Sequence, residues 1–222
     1  MLNKFLIKFK GLFPTKFKTF IKKFRNFNGY GGLDKKMLQY INYRNGFYIE
    51  CGANDGVNQS NTWYFEKKLN WSGLLIEPVN EAFYELKKNR NKKNFFINKA
   101  LCPFSYKKKF TNLKLDLKDT LSTRSTKDNI KNRINIKVKT QNLNSILNKI
   151  GAPNIIDFFS LDVEGDEFKV LNGINFTRYK FKYILIETYH LKRIKNFFDK
   201  KGYKYVKKMS LRNDHLFKNI IN

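Results

Sequence analysis

The fold of this chain is decided by Phe47-Tyr48-Ile49-Glu50-Cys51-Gly52-Ala53-Asn54-Asp55-Gly56. A short apolar run ends there in an acid, and a turn bracketed by two glycines follows directly. A second apolar run, Leu74-Leu75-Ile76, ends in the same way with Glu77-Pro78. A strand, a glycine turn, a helix, a second strand and an acid form the layout of a nucleoside-binding α/β half-domain.

Strand-like and helix-like runs alternate along the rest of the chain, which predicts a doubly wound, mostly parallel sheet. The predicted strands are 47–50, 74–76, 95–97, 136–138, 158–163 and 183–187, with a final antiparallel pair at 203–207 and 215–217. The predicted helices are 34–43, 61–69, 82–89, 143–149, 167–171 and 194–200. Residues 103–135 are polar, irregular and basic, and we expect a hairpin or a mobile loop there.

Acidic residues stand at or just beyond four of the predicted strand ends. They are Glu50, Glu77, Asp162 and Glu187. Ligands of doubly wound sheets bind at the carboxyl ends of the strands, at the point where the strand order reverses. The sequence therefore predicts one site that gathers these acids.

The glycine turn favours a cationic ligand. Its pattern is Gly52-x-x-x-Gly56, with acids at Glu50 and Asp55 that would repel a pyrophosphate. An amino acid or a sulfonium suits such a turn, which indicates S-adenosylmethionine rather than NAD. Glu77 can accept both ribose hydroxyls, although it could instead cap the following helix. The predicted cofactor-binding residues are Glu50, Gly52, Ala53, Asn54, Asp55, Gly56, Ser60, Asn61, Glu77, Pro78, Asn98, Ala100, Leu101 and Asp162.

The catalytic candidates come from the later strands. Asp162 and Glu164 are two residues apart, so their side chains face the same way in an extended segment. They could act as a general base or bind a divalent cation such as Mg²⁺, with Asp162, Glu164 and Glu187 as candidate ligands. His190 follows Glu187 and is a third candidate base, or else a surface histidine.

The formal net charge of +27 suggests nucleic acid or an anionic membrane as a partner. The chain is also rich in residues encoded by AT-rich codons, so drift in base composition is an alternative explanation. Cys51 and Cys102 lack metal-type spacing and indicate buried thiols in a reducing, cytoplasmic setting. The sequence contains no apolar run of the length that spans a bilayer.

Residues 1–28 form a separate basic amphipathic segment, which predicts a helix interrupted near Pro14. The segment could hold the protein at the surface of an anionic membrane, or it could pack on the domain with a solvated lysine face. Residues 29–222 are the predicted catalytic domain.

Five segments in this order resemble the FkbM family of methyltransferases, and the resemblance covers roughly residues 31–217. The segments are Phe47–Gly56, Ser60-Asn61-Thr62, Trp71–Pro78, Ser160–Glu167 and Val170–Ile174. The resemblance implies a class I, Rossmann-like methyltransferase fold, S-adenosylmethionine as donor, and O-methylation of a hydroxyl on a sugar, a glycan or a small metabolite. Residues 1–28 and 103–135 carry no family pattern.

Two other functions compete with this interpretation. The basic surface could serve a methyltransferase acting on the ribose or cap of RNA, in which case Lys107, Lys108, Lys109 and Arg124 would face the site. A membrane-associated, non-catalytic scaffold with a vestigial cofactor site is the second alternative. Every motif keeps its glycines and acids, which argues against a vestigial cofactor site. The sequence leaves the acceptor, the metal requirement and the oligomeric state open.

Overall fold

The computed structural model describes residues 25–116 and 133–220. Their main element is a seven-stranded sheet with the order β3-β2-β1-β7-β8-β10-β9. Its strands are β1 (Phe47–Cys51), β2 (Ser72–Ile76), β3 (Phe95–Ile97), β7 (Ile155–Leu161), β8 (Lys180–Glu187), β9 (Tyr203–Lys208) and β10 (Asp214–Asn219).

The strand order reverses at β1. This strand pairs in parallel with β2 on one side and with β7 on the other, while β10 runs antiparallel to both β8 and β9. Such a reversal opens a crevice at the carboxyl ends of the central strands. The predicted doubly wound, mostly parallel sheet with an antiparallel final strand is confirmed.

Helices cover both faces of the sheet. They are α1 (Leu33–Met37), α2 (Trp63–Leu69), α3 (Asn80–Asn89), α4 (Leu143–Ile150), α5 (Glu167–Leu171) and α6 (Leu191–Asp199). Apolar residues of α1, α2 and α3 pack into one core cluster, and those of α4, α5 and α6 into a second. The central strands are apolar on both sides because both sides are covered.

Two predicted boundaries differ from the structure in ways that matter. The α-helix predicted for 34–43 ends at Met37. Beyond it, the N–H groups of Leu38 and Tyr40 each donate to the carbonyl three residues earlier, which forms a tight turn. That turn carries Ile41 into the core. The predicted strand 158–163 instead ends at Leu161, so Asp162 lies just beyond it.

Residues 103–135 were expected to form a hairpin or a mobile loop, and the described part of them contributes to a second, three-stranded sheet. In it β5 (Phe110–Asp116) pairs antiparallel with β6 (Arg133–Gln141), which extends well beyond the predicted 136–138. The other side of β6 pairs in parallel with a short strand that was not predicted, β4 (Ala100–Leu101). Arg124 lies outside the described residues.

Most of the predicted amphipathic segment 1–28 also lies outside the described residues. Its last part packs on the domain, because the ring of Phe27 stacks on Tyr64 at 4.5 Å and the backbone N–H of Asn28 donates to the Asp34 carboxylate at 2.7 Å. Among the helices that the structure describes, none has the length and apolar character needed to cross a bilayer.

Candidate active site

Backbone hydrogen bonds connect the ends of β1, β2 and β7 at the crevice. The backbone N–H groups of Gly52 and Ala53 donate to the Ile76 carbonyl at 3.1 and 3.0 Å, and the Asp162 N–H donates to the Cys51 carbonyl at 3.1 Å. Gly52 has φ 78°, and a Cβ there would lie 1.9 Å from the carbonyl oxygen of Asp162. Only glycine permits this approach, which joins the glycine turn after β1 to the segment Ser160–Glu167.

Glu77 lies in the crevice beside the glycine turn, as the sequence predicted. The residue is 5 % exposed, and its carboxylate accepts the N–H of Asn54 at 2.9 Å and the N–H of Val79 at 2.8 Å. Burial raises the pKa of Glu77 to about 7, although both N–H donors oppose that rise. Each carboxylate oxygen keeps a lone pair beyond its backbone contact, so the group suits a diol that donates two hydrogen bonds.

The segment predicted to border an adenine is tied to Glu77 through its backbone. The side-chain amide of Asn98 donates to the carbonyls of Glu77 and Pro78 at 3.0 and 3.1 Å. Ala100 and Leu101 follow in β4. These contacts fix the predicted edge of the site to the carboxyl end of β2.

Two predicted cofactor-binding acids are engaged by protein donors. Glu50 accepts from the Ser60 hydroxyl at 2.9 Å, from the Asn61 N–H at 2.7 Å and from the Thr62 hydroxyl at 2.6 Å. Asp55 accepts from the N–H groups of residues 57 and 58 at 2.9 and 2.8 Å. In the described structure these carboxylates hold the glycine turn and the segment after it.

Beside the turn lies a buried cation that was not among the predicted site residues, Arg90. Its side chain is fully buried and forms ion pairs with Glu66 at 2.7 Å and with Glu50 at 3.3 Å. It also donates to the Gly56 carbonyl at 3.2 Å and the Tyr48 hydroxyl at 2.7 Å. A single arginine thereby links β1, the glycine turn and α2.

The charge of Arg90 also sets the state of its partner Glu66. Burial acts to raise the pKa of Glu66, but the attraction of Arg90 and hydrogen bonds from Lys67 and Arg90 lower it to about 2. The ion pair is therefore charged throughout the neutral range. Arginine is much less common than lysine in this chain. The arginine that follows the predicted helix 82–89 could therefore have indicated a buried ion pair.

Three carboxyl groups meet at the ends of β7, β8 and β10. Asp214 lies opposite Glu187 in the β8–β10 register, and a hydrogen bond links Glu187 to Asp162. Burial and the charges of Glu187, Glu164 and Asp214 raise the pKa of Asp162. Burial and the charge of Asp214 raise the pKa of Glu187, although the hydrogen bond with Asp162 opposes that rise, and burial raises the pKa of Asp214. Such a set favours a proton held between Asp162 and Glu187.

Asp214 was not among the predicted site residues. The amino end of an antiparallel strand lies at the same edge as the carboxyl ends of its parallel neighbours. The predicted antiparallel final strand was therefore the signal that could have placed an acid here.

Two buried acceptor atoms in this region have no hydrogen-bond partner within the part of the chain that the structure describes. They are Oδ1 of Asn61 and Oδ1 of Asp162. Asn61 is 7 % exposed, and its amide nitrogen donates to the Ser160 hydroxyl at 3.1 Å. Buried acceptors are normally satisfied, so these two atoms fit a ligand that brings donors or positive charge.

The predicted metal site is not supported. Across residues 25–116 and 133–220, no group of three His, Cys, Asp or Glu side chains is arranged to hold a metal ion. The proposed ligands Asp162, Glu164 and Glu187 are therefore not assembled as a cage. Asp162 and Glu187 instead bond each other, and Glu164 has a left-handed backbone with φ 54°.

His190 lies three residues after Glu187, beyond the end of β8. It is exposed and occupies the residue before α6, where its backbone N–H donates to the Thr188 hydroxyl at 3.1 Å. The structure thus places this predicted base on the surface, at the start of α6.

Comparison with known proteins identifies a family. The family model described as the methyltransferase FkbM domain matches residues 50–205. No curated protein matches the chain.

Among solved structures, 15 chains match. An FkbM methyltransferase from Methylobacillus flagellatus KT aligns with a TM-score of 0.49 and 13 % identity, over 78 % of this chain and 43 % of that one. The METTL16 methyltransferase domain aligns with a TM-score of 0.48 and 14 % identity, over 87 % of this chain and 67 % of that one. The present chain thus spans less than half the length of the Methylobacillus protein.

Proposed function

We propose that this chain, which belongs to the FkbM methyltransferase domain family, transfers a methyl group from S-adenosylmethionine to a hydroxyl of a sugar, a glycan or a small metabolite. The observation that carries the proposal is that Glu77 and the Asp162–Glu187 pair lie at the same edge of the sheet, where the parallel strands end. A buried acid suited to a ribose diol stands beside the glycine turn, and a proton-sharing carboxyl pair stands across from it.

The donor side is formed by the glycine turn, Glu77 and the unpartnered acceptors. Glu77 would accept the ribose hydroxyls, and Asn61 and Asp162 would face the positively charged amino acid end. Gly52 and Gly56 would let the backbone approach the ligand. When bound, S-adenosylmethionine supplies an activated methyl group on a positively charged sulfur.

The acceptor side is formed by Asp162 and Glu187. The pair would take the proton of the acceptor hydroxyl as its oxygen bonds to the methyl carbon and the carbon–sulfur bond breaks. Because their pKa values are raised, these groups are better bases than ordinary surface carboxylates. Glu164 and His190 remain candidates for assisting the pair. Orientation of the two reactants would supply much of the remaining acceleration.

An RNA acceptor is the second candidate, and one observation favours it. Lys107, Lys108 and Lys109 are consecutive, exposed and placed directly before β5. The same hairpin is joined through β4 to the predicted adenine edge of the site. A basic hairpin beside a donor site could guide a phosphate backbone.

The test combines binding with turnover. Calorimetry should show that S-adenosylmethionine binds, and that Glu77→Ala weakens binding by about 2–3 kcal/mol through loss of a charge-assisted contact. A methyl-donor assay over neutral sugars, acidic sugars, small alcohols and RNA then identifies the acceptor. Unchanged affinity in a folded Glu77→Ala protein would refute the ribose assignment, and methylation of RNA alone would select the second candidate.

A further inference from the structure

An open groove begins just beyond the carboxyl end of β8, and nothing in the donor site uses it. It is lined by Tyr189, His190, Lys192, Arg193 and Asn196. His190 follows Glu187 by three residues, and an extended chain covers at most about 10 Å in that length. The groove therefore lies within reach of a small acceptor whose hydroxyl is held at the Asp162–Glu187 pair.

The positive charges of the groove are available to a ligand. Within the ranges that the structure describes, Lys192 and Arg193 take part in no ion pair, and the first turn of α6 contains no acid. The Arg193 guanidinium instead lies 4.0 Å from the ring centre of Phe168. A stacked guanidinium is fixed in direction but keeps its donors free for an anion.

The neutral members of the groove suit a sugar. Tyr189 is 70 % exposed, so most of its ring can pack against the apolar face of a sugar ring. Asn196 offers an amide that donates to and accepts from hydroxyl groups.

We propose that this groove binds an anionic group, a phosphate or a carboxylate, carried by the sugar that is methylated. This inference rests on the proposed function and names its substrate class. The acidic strand ends and the basic groove carry opposite charges, which explains why such an acceptor would bind in one orientation. The carboxyl groups of Asp162, Glu187 and Asp214 repel an anion, while Lys192 and Arg193 attract it. The hydroxyl is thereby directed to the base and the anionic group away from it.

The experiment measures acceptor binding directly, without turnover. Glucose 6-phosphate, glucuronate and glucose are titrated separately into the full chain, so that phosphate, carboxylate and neutral forms of one sugar are compared. We expect at least one of the anionic sugars to bind at least tenfold more tightly than glucose. The preferred anion identifies phosphate or carboxylate as the recognised group.

The variant Lys192→Ala/Arg193→Ala should abolish that preference. Its matched control is Lys200→Ala/Lys201→Ala, which removes the same charge beyond the other end of α6 and should retain the preference. Equal binding of all three sugars would overturn the proposal, as would equal losses in the two double variants, which indicate a diffuse effect of net charge. A parallel titration with S-adenosylmethionine distinguishes this proposal from the proposed function. If the protein binds anionic sugars in the groove but does not bind S-adenosylmethionine, the proposed function is refuted and the groove proposal stands.

Discussion

Gly52 and Asp162 approach so closely that a Cβ on the glycine would lie 1.9 Å from the carbonyl oxygen of the aspartate. The contact joins the turn after β1 to the residue after β7. It therefore fixes the proposed donor side of the crevice against the proposed acceptor side. No side chain other than hydrogen satisfies both this distance and the backbone angle of φ 78°.

Gly52→Ala should destabilise the protein by about 2 kcal/mol or more, because it combines a backbone clash with a left-handed conformation. Gly151→Ala is the matched control, since Gly151 also has a positive φ of 63° but has nothing within 4 Å of the added Cβ. We expect the control to cost only about 1 kcal/mol. Urea denaturation of both variants measures the difference, and equal losses would show that the contact with Asp162 is relaxed at little cost.

Arg90→Met should be among the most damaging single substitutions. It leaves Glu50 buried without its cation and Glu66 paired only with Lys67, a loss of about 3–5 kcal/mol. Arg178→Met removes an exposed arginine that only stacks on Tyr179, and it should change stability by less than about 0.5 kcal/mol. Chemical denaturation midpoints test this. A stable Arg90→Met protein would mean that the buried carboxylates find other partners or become protonated.

Glu77 should make stability depend on pH. Its folded pKa of about 7 lies above the ordinary value of 4.5, so the folded state binds the proton more tightly than the unfolded state. Without ligand, the stabilisation is full below pH 4.5 and is lost as the pH rises through 7, by about 3 kcal/mol. Glu77→Gln removes this titration, so the stability difference between variant and parent should change across that window. A pH-independent difference would contradict the assignment.

The same carboxyl group predicts how nucleoside affinity changes with pH. Ribose hydroxyls donate to the ionised form, so binding should tighten as the pH rises from 6 to 8. The uncharged nucleoside 5′-methylthioadenosine avoids titration of the ligand's own amino group. Calorimetry should show this trend in the parent protein and a flat profile in Glu77→Gln. Parallel trends in both proteins would place the titrating group elsewhere.

Asp214 should set the pH profile of turnover without touching the acceptor. Its charge contributes to raising the pKa of Asp162 and Glu187, and the base must be deprotonated to act. Asp214→Asn should therefore move the acid limb of the kcat profile to lower pH. Asp199→Asn, an exposed change at the end of α6, should leave the limb in place. An unmoved limb in Asp214→Asn would show that the three carboxyl groups do not act together.

Truncation should separate the two interpretations of the amino-terminal segment. Deleting residues 1–24 keeps the stacking of Phe27 on Tyr64 and the contact of Asn28 with Asp34. If the segment attaches the protein to an anionic membrane, the truncated protein should keep its melting temperature and lose co-sedimentation with anionic vesicles. A truncated protein that melts several degrees lower, when the full chain ignores vesicles, would establish a structural role instead.

The sequence by itself determined the sheet, the glycine turn and the position of Glu77. These features follow from local patterns, because an apolar run, a glycine pair and an acid after a strand each restrict the backbone near themselves. The antiparallel last strand was also predicted, and a hairpin was one of the two alternatives expected for residues 103–135.

Only the tertiary structure decided the partners of the charged groups. Arg90, Glu66 and Asp214 gained their roles from elements distant in sequence, and Glu50 and Asp55 proved to be engaged by protein donors. The predicted metal ligands were not assembled for the same reason, since Asp162 and Glu187 bond each other. Burial and charge pairing depend on which side chains meet across the sheet. Residue types and spacing alone do not specify those distances.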